Sequence, residues 1–216
     1  MDFNACDLDL LEKTFELTPV VNPSELADWL DSALPLNEGE RYEANELREQ
    51  IQLNVLHWNE QELSLHCIGP IFSIPKFTIV RKMNLFAQRF IGADVPDVDG
   101  NLITLSGRPD GILASGFRSP DKPFFSFQEY KKEKDPNGDP AGQCLAAMLA
   151  GQTLNGNAAE TIYGCYVVGQ NWQFMTLINK QYAISPAFSA QTDEIYFIIG
   201  VLKRLKEIVA ARLGAI

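Results

Sequence analysis

Residues 106–131 read SGRPDGILASGFRSPDKPFFSFQEYK, and the fold of the whole chain turns on how this stretch is folded. Gly111–Ala114 is a short apolar run, and Phe124–Lys131 is aromatic-rich and alternating, as a strand should be. In an extended strand residues i and i+2 share a face, so Glu129 and Lys131 project together while Tyr130 turns to the other side. If the strand that begins at Asp110 pairs with this one, two carboxylates and one ammonium converge.

The pattern extends outward in both directions. Leu102–Leu105, ahead of the SGRPD segment, forms one long strand with Gly111–Ala114 or a second short one. Upstream, Asp94–Asn101 predicts a turn, Phe77–Val80 a strand-like run, and 68–77 (IGPIFSIPKF) a bent connector broken by Gly69, Pro70 and Pro75. A helix is expected over Glu40–Trp58, where Leu47, Ile51, Val55 and Trp58 recur at helical spacing. Another is expected near Ser24, with Leu26, Trp29 and Leu30 as its stripe. Downstream, Lys132–Gly138 is polar and turn-like. Asp139-Pro140 then starts a helix as cap and first residue, with Gly151 as its end. Ile162–Val168 and Trp172–Ile178 predict a hairpin joined by Gly169–Asn171, followed by Tyr182–Ile184. A long amphipathic helix over Thr192–Leu213 closes the chain. This order predicts an α/β protein with a central mixed sheet flanked by helices.

The chain has 216 residues and a net charge of −10, long enough for one domain with a buried core. Residues 1–62 hold 15 acids and three bases, and residues 63–216 hold 13 acids and 15 bases. We therefore expect an acidic helical N-terminal extension over 1–39 and one domain over 40–216. A sequence pI near 4.7 speaks against a nonspecific nucleic-acid binder, although the negative charge is confined to the first third. No apolar run is long enough to span a bilayer. The acidic start does not resemble a signal peptide. Cys6, Cys67, Cys144 and Cys165 are scattered without zinc spacing. Together these features predict a cytoplasmic protein with reduced thiols and no membrane association. Asp97, Asp99 and Gly100 read as a hairpin turn rather than a calcium loop, because Arg108 stands where the closing Glu would be. His57 and His66 lack metal-ligand spacing.

Two carboxylates and a lysine suit Mg²⁺, which favours hard oxygen ligands and needs only one or two protein carboxylates. Such an ion acts as a Lewis acid on phosphate and lowers the pKa of bound water. Asp110 preceded by Pro109, with Glu129-Tyr130-Lys131 downstream, resembles the PD-(D/E)xK motif of the restriction-endonuclease-like nucleases. The wording GRPD…QEYKK is similar to the RecB-type branch.

That resemblance implies a restriction-endonuclease-like core and a Mg²⁺-dependent nuclease acting on nucleic acid, with DNA the expected partner and Mn²⁺ a substitute ion. It implies Asp110 and Glu129 as metal ligands, Lys131 as the catalytic lysine and Gln143 as the polar residue early in the following helix. Ala147 departs from the branch, which has an aromatic there. Glu46 and Glu49 on the leading helix are both candidates to complete the metal site. Arg108, Arg118, Lys122, Lys132 and Lys134 are candidate phosphate contacts. The alternative is an inactive nuclease-fold protein that serves as a binding or assembly module, with a protein partner or self-association.

Overall fold

A computed structural model describes residues 1–21, 23–130 and 138–215, with residues 126–130 described by their backbone. In chain order the elements are α1 (Leu8–Phe15), β1 (Thr18–Pro19), α2 (Ser24–Asp31), α3 (Glu38–Asn54), α4 (Glu60–Leu63), a π-helical turn (Ser64–Ile68) and α5 (Gly69–Ser73). There follow β2 (Met83–Ala87), β3 (Ile91–Pro96), β4 (Leu102–Gly107), β5 (Gly111–Ser115), β6 (Pro123–Tyr130) and α6 (Pro140–Asn155). The chain ends with β7 (Ile162–Val168), β8 (Asn171–Ile178), β9 (Gln181–Ile184), β10 (Phe188–Ser189) and α7 (Glu194–Arg212).

The main sheet runs β1-β9-β8-β7-β6-β5-β2, with β10 paired to β8, and β3-β4 form a separate hairpin. β2, β5 and β6 are antiparallel neighbours. β6 and β7 are parallel and joined through α6, the kind of crossover that parallel neighbours require. The α/β class and the mixed sheet flanked by helices are as the sequence predicts. Leu102–Leu105 and Gly111–Ala114 turn out to be two strands, in two different sheets.

Each face of the main sheet carries a core. The first contains Trp29, Ile51, Phe72, Phe125, Trp172 and Leu202, drawn from α2, α3, α5, α7 and the sheet. Trp29 is anchored there: its ring meets Tyr163 and Phe174 edge-on, and its indole N–H donates to the Val201 carbonyl at 3.1 Å. The second core is built around α6, with Phe3, Leu11, Phe15, Leu105 and Ile112 among its members.

Residues Ala141–Gln152 of α6 are all buried, because the helix lies between the sheet and the β3–β4 hairpin. A helix enclosed on every side needs apolar residues all round rather than a stripe, which is why GQCLAAMLAG is built that way. Gly142 sits so close to the chain before α1 that an added Cβ would lie 2.5 Å from the Asp7 Cα. Ala147 is buried in this same core, where an aromatic ring would hold α6 off its neighbours.

Residues 1–39 are helical and acidic, and they also pack into both cores through Phe3, Leu11, Phe15 and Trp29. β1 adds a parallel edge strand against β9.

Several local expectations are corrected. The helix expected to reach Trp58 ends at Asn54, and a new one starts behind Asn59. The Asn59 side chain accepts from the Glu62 amide at 3.0 Å, and the Glu62 carboxylate accepts from the Asn59 amide at 2.8 Å. This reciprocal cap satisfies two otherwise unpaired amides. The supposed connector at 68–77 is largely helical: α5 continues directly from the π-turn, and Pro70 is its second residue. The edge strand is Met83–Ala87, and Phe77–Val80 contributes only a bridge between Ile79 and Met83. α6 ends at Gly156 in the left-handed region, five residues beyond Gly151. Strand β3 extends to Pro96 inside the stretch expected to turn. The turn proper is held by Asp97, whose Oδ1 accepts from the Asp99 and Asn101 amides at 2.9 and 2.8 Å.

Candidate functional site

β5 and β6 bring the backbone positions of the two motif acids to one end of a strand pair. The register matches Gly111 with Phe127. Asp110 is the residue before Gly111, and Glu129 lies two residues beyond Phe127, so both positions fall at the same end. The backbone of Glu129 also pairs in register with Val167 of β7. The Glu129 side chain, together with Lys131, Lys132 and Lys134, lies outside the described residues.

Asp110 is half-buried and follows the buried Pro109. Its backbone is tied to the end of β2, because the Gln88 amide donates to the Asp110 carbonyl at 3.2 Å. Gln88 has a positive φ of 49°, and its own carbonyl accepts from the Arg108 guanidinium at 3.3 Å. Arg108 is thus exposed but fastened beside Asp110.

A cleft of about 450 Å³ opens between β2 and the helical segment that runs from the π-turn into α5. Among the described residues its walls include Ser64, Ile68, Phe72, Leu85, Gln88 and Asp110. Among the described residues the walls are mainly apolar, and Asp110 is the one acid lining them. None of residues 1–39 is among the described lining residues.

The leading helix at this cleft is therefore not α3. Glu46 and Glu49 are exposed on α3, and neither is among the residues lining the cleft. The physical reason is the break at Val55–Asn59. The chain stops α3, recaps, and sends a second helical segment past the sheet edge. Glu60 is half-buried in the first turn of that segment. It stands one turn before Ser64, and residues four apart share a helix face. Glu60, like Glu46 and Glu49, is not among the described residues lining the cleft, whereas Ser64 is. Sequence reasoning passed over Ser64, and the signal that would have found it is Asn59-Glu60-Gln61-Glu62, a capping box just before an apolar run.

The other candidates divide. Arg118 and Lys122 lie in the turn between β5 and β6, at the opposite end of the strand pair from Asp110. The five residues of β5 separate them by about 17 Å, so they do not flank Asp110 as expected. Arg118 lies over the Phe117 ring at 5.7 Å. Gln143 is 5% exposed in the first turns of α6 and is not among the described residues lining the cleft.

All four cysteines are buried, and none is in a disulfide. Burial pushes the Cys144 thiol up to about 12 and the Cys165 thiol well above its ordinary value. Neither can supply a thiolate near neutral pH. Among the described residues no group of three or more His, Cys, Asp and Glu side chains is placed to hold a metal ion, and no helix is long and apolar enough to cross a membrane.

The Asp110 carboxylate is an oxygen donor of the kind Mg²⁺ takes, unlike the nitrogen and sulfur sets that favour zinc. No protein-family model matches the chain, and a search of the curated proteins gives no match either.

Proposed function

We propose that the protein is a metal-dependent phosphodiesterase with a restriction-endonuclease-like core, cutting nucleic acid at the Asp110 cleft. The observation that carries this reading is the register of β5 and β6, which sets Asp110 and Glu129 at one end of adjacent strands. The wider topology supports it. A helical segment is followed by the antiparallel set β2-β5-β6, then by the α6 crossover and the parallel strand β7. This is the helix, three-strand, helix, strand order that the motif resemblance implies.

In this reading Asp110 and Glu129 hold a divalent cation, Mg²⁺ by their all-oxygen chemistry, with Mn²⁺ able to replace it. When bound, the ion supplies Lewis acidity toward a phosphate oxygen and a lowered pKa for a water molecule. Lys131, two residues beyond Glu129 in the sequence, would orient the attacking water and offset charge on the phosphorus. The apolar wall made by Ile68, Phe72 and Leu85 limits bulk water around the Asp110 carboxylate, which strengthens its hold on a cation. Gln143 is buried and is not among the described residues lining the cleft, so no step is assigned to it.

The test is cleavage of labelled DNA and RNA oligonucleotides by the purified chain in Mg²⁺, Mn²⁺ or EDTA. Asp110→Asn and Lys131→Ala should each abolish metal-dependent cleavage without lowering the thermal midpoint. Unchanged cleavage by either variant removes the assignment. The burial of Gln143 favours a second reading, a nuclease fold kept as a binding module. Calorimetric titration with Mn²⁺ separates the two, because a relic site takes up no ion.

A further inference from the structure

We infer that the β2 edge of the sheet is a track for single-stranded nucleic acid leading into the Asp110 cleft. The first observation is charge. Between Glu62 and Asp94 the sequence has four bases and no acid, in a chain whose net charge is −10.

The strand pairing gathers these bases with others into two groups. At the start of β2, where Met83 pairs with Ser115, stand Arg81, Lys82, Arg118 and Lys122. At its end, where Ala87 pairs with Gly111, stand Arg89 and Arg108. All six are exposed. Among the described residues none of them is ion-paired to a carboxylate. Lys82 donates instead to the Gly214 carbonyl, Arg108 to that of Gln88, and Arg118 lies on Phe117. The groups are separated by the five residues of β2, about 17 Å.

The second observation is the aromatic at each end. Phe117 is 54% exposed beside Arg118, and Phe90 is 61% exposed beside Arg89. An exposed ring next to an arginine is a platform on which an unpaired base stacks while the cation meets the phosphate. A duplex keeps its bases stacked on one another and offers such rings nothing, so the pairing selects a single strand. The third observation is continuity. β2 is the terminal strand of the sheet, and Leu85, Ala87 and Gln88 along it line the same cleft as Asp110. A strand lying along the edge therefore arrives at the carboxylate.

The inference rests on the nuclease reading only for where the track leads, and its test keeps the two apart. Binding of the full chain to labelled oligothymidylate, and to a duplex of equal length, is measured by fluorescence anisotropy in EDTA over a salt series. The single strand should bind more tightly. Phe90→Ala and Phe117→Ala should each weaken it by about fivefold to a hundredfold. Combining Arg81→Asn, Arg118→Gln and Lys122→Gln should lower the slope of log K against log salt by about 2. Asn is chosen at Arg81 because that residue has a φ of 64°, which Asn tolerates. The thermal midpoint of each variant checks that it is folded. Equal affinity for duplex with unchanged Phe variants overturns the inference, as does displacement of the oligonucleotide by polyglutamate at equal charge. If Asp110→Asn abolishes cleavage while the wild-type chain shows none of these binding effects, the track falls and the nuclease reading stands. If the binding effects appear in a chain that cuts nothing, the track stands and the nuclease reading falls.

Discussion

On one face of the sheet, α6 and the β3–β4 hairpin leave Leu105, Ile112 and Ala146 with no exposure. On the other, the segment from Ser64 to Ser73 stands off β2 far enough to leave a cleft of about 450 Å³. The two faces share strands, so the difference lies in what covers them. The sealed face uses small residues for close approach: a Cβ at Gly164 would fall 2.3 Å from the Met148 sulfur. The open face is covered at this edge by a short helical segment with a π-turn, a common device at functional sites. Both faces carry a core, but at the β2 edge of the open one the packing leaves a cleft, with half-buried Asp110 among its described lining residues.

Substitutions that lesion the two faces alike should therefore have unlike effects. The largest effect is expected at Gly142→Val, where the new side chain meets the Asp7 backbone rather than a flexible side chain. A cost of about 3 kcal/mol or more is expected, seen as a thermal midpoint roughly 6–12 °C lower. A midpoint within a degree of wild type would mean α6 is not locked as described. Next, Ile112→Ala on the sealed face should cost about 2–5 kcal/mol. Leu85→Ala, which trims the cleft wall, should cost about 1 kcal/mol. Equal losses in urea unfolding would erase the contrast between the faces.

On activity, Glu46→Gln and Glu49→Gln should leave metal-dependent cleavage unchanged, since neither lines the cleft. Loss of cleavage in either variant would return the leading helix to α3. The smallest effect concerns Asp97 at the tip of the β3–β4 hairpin. Hydrogen bonds from the Asn101 side chain and from neighbouring amides hold its carboxyl below the ordinary 3.8. A depressed folded-state value stabilises above the unfolded value and is lost as pH falls through the folded one. Asp97→Asn should thus flatten the fall in thermal midpoint on acidification below about pH 4. An unaltered acid limb would show that the turn bonds do not persist in solution.

What was readable in the sequence follows from where local physics is strong. The alternation in Phe124–Tyr130, the Asp139-Pro140 start of α6 and the stripe of α7 each have a local cause, and each element is found there. The edge strand and the cleft helix were missed because their local signals point elsewhere. Phe77–Val80 has the stronger strand composition, yet Met83–Ala87 is the segment that reaches β5 with a matching register. Pro70 and Pro75 suggest a connector, yet the chain is helical through Pro70 as far as Ser73. Pro96 suggests a turn, but it ends a strand in an isolated two-stranded hairpin, where one lost N–H is tolerated.

At the site, the placing of positions 110 and 129 at one end of adjacent strands was legible through strand spacing. Which helical segment borders the cleft was not, since that depends on a helix break whose capping residues look like ordinary polar surface. The placement of Arg118 and Lys122 was missed for a different reason. Nearness in sequence suggested nearness in space, whereas a hairpin carries its turn to the far end.

The enclosure of α6 also sets how the molecule breathes. With protein on every side, its amides meet solvent only when the whole domain opens, so their hydrogen-exchange rates report global unfolding. β2 and the neighbouring cleft segment lie at the rim and can open without disturbing that helix. Deuterium uptake there measures local fluctuation, and one exchange experiment would read the two on separate clocks.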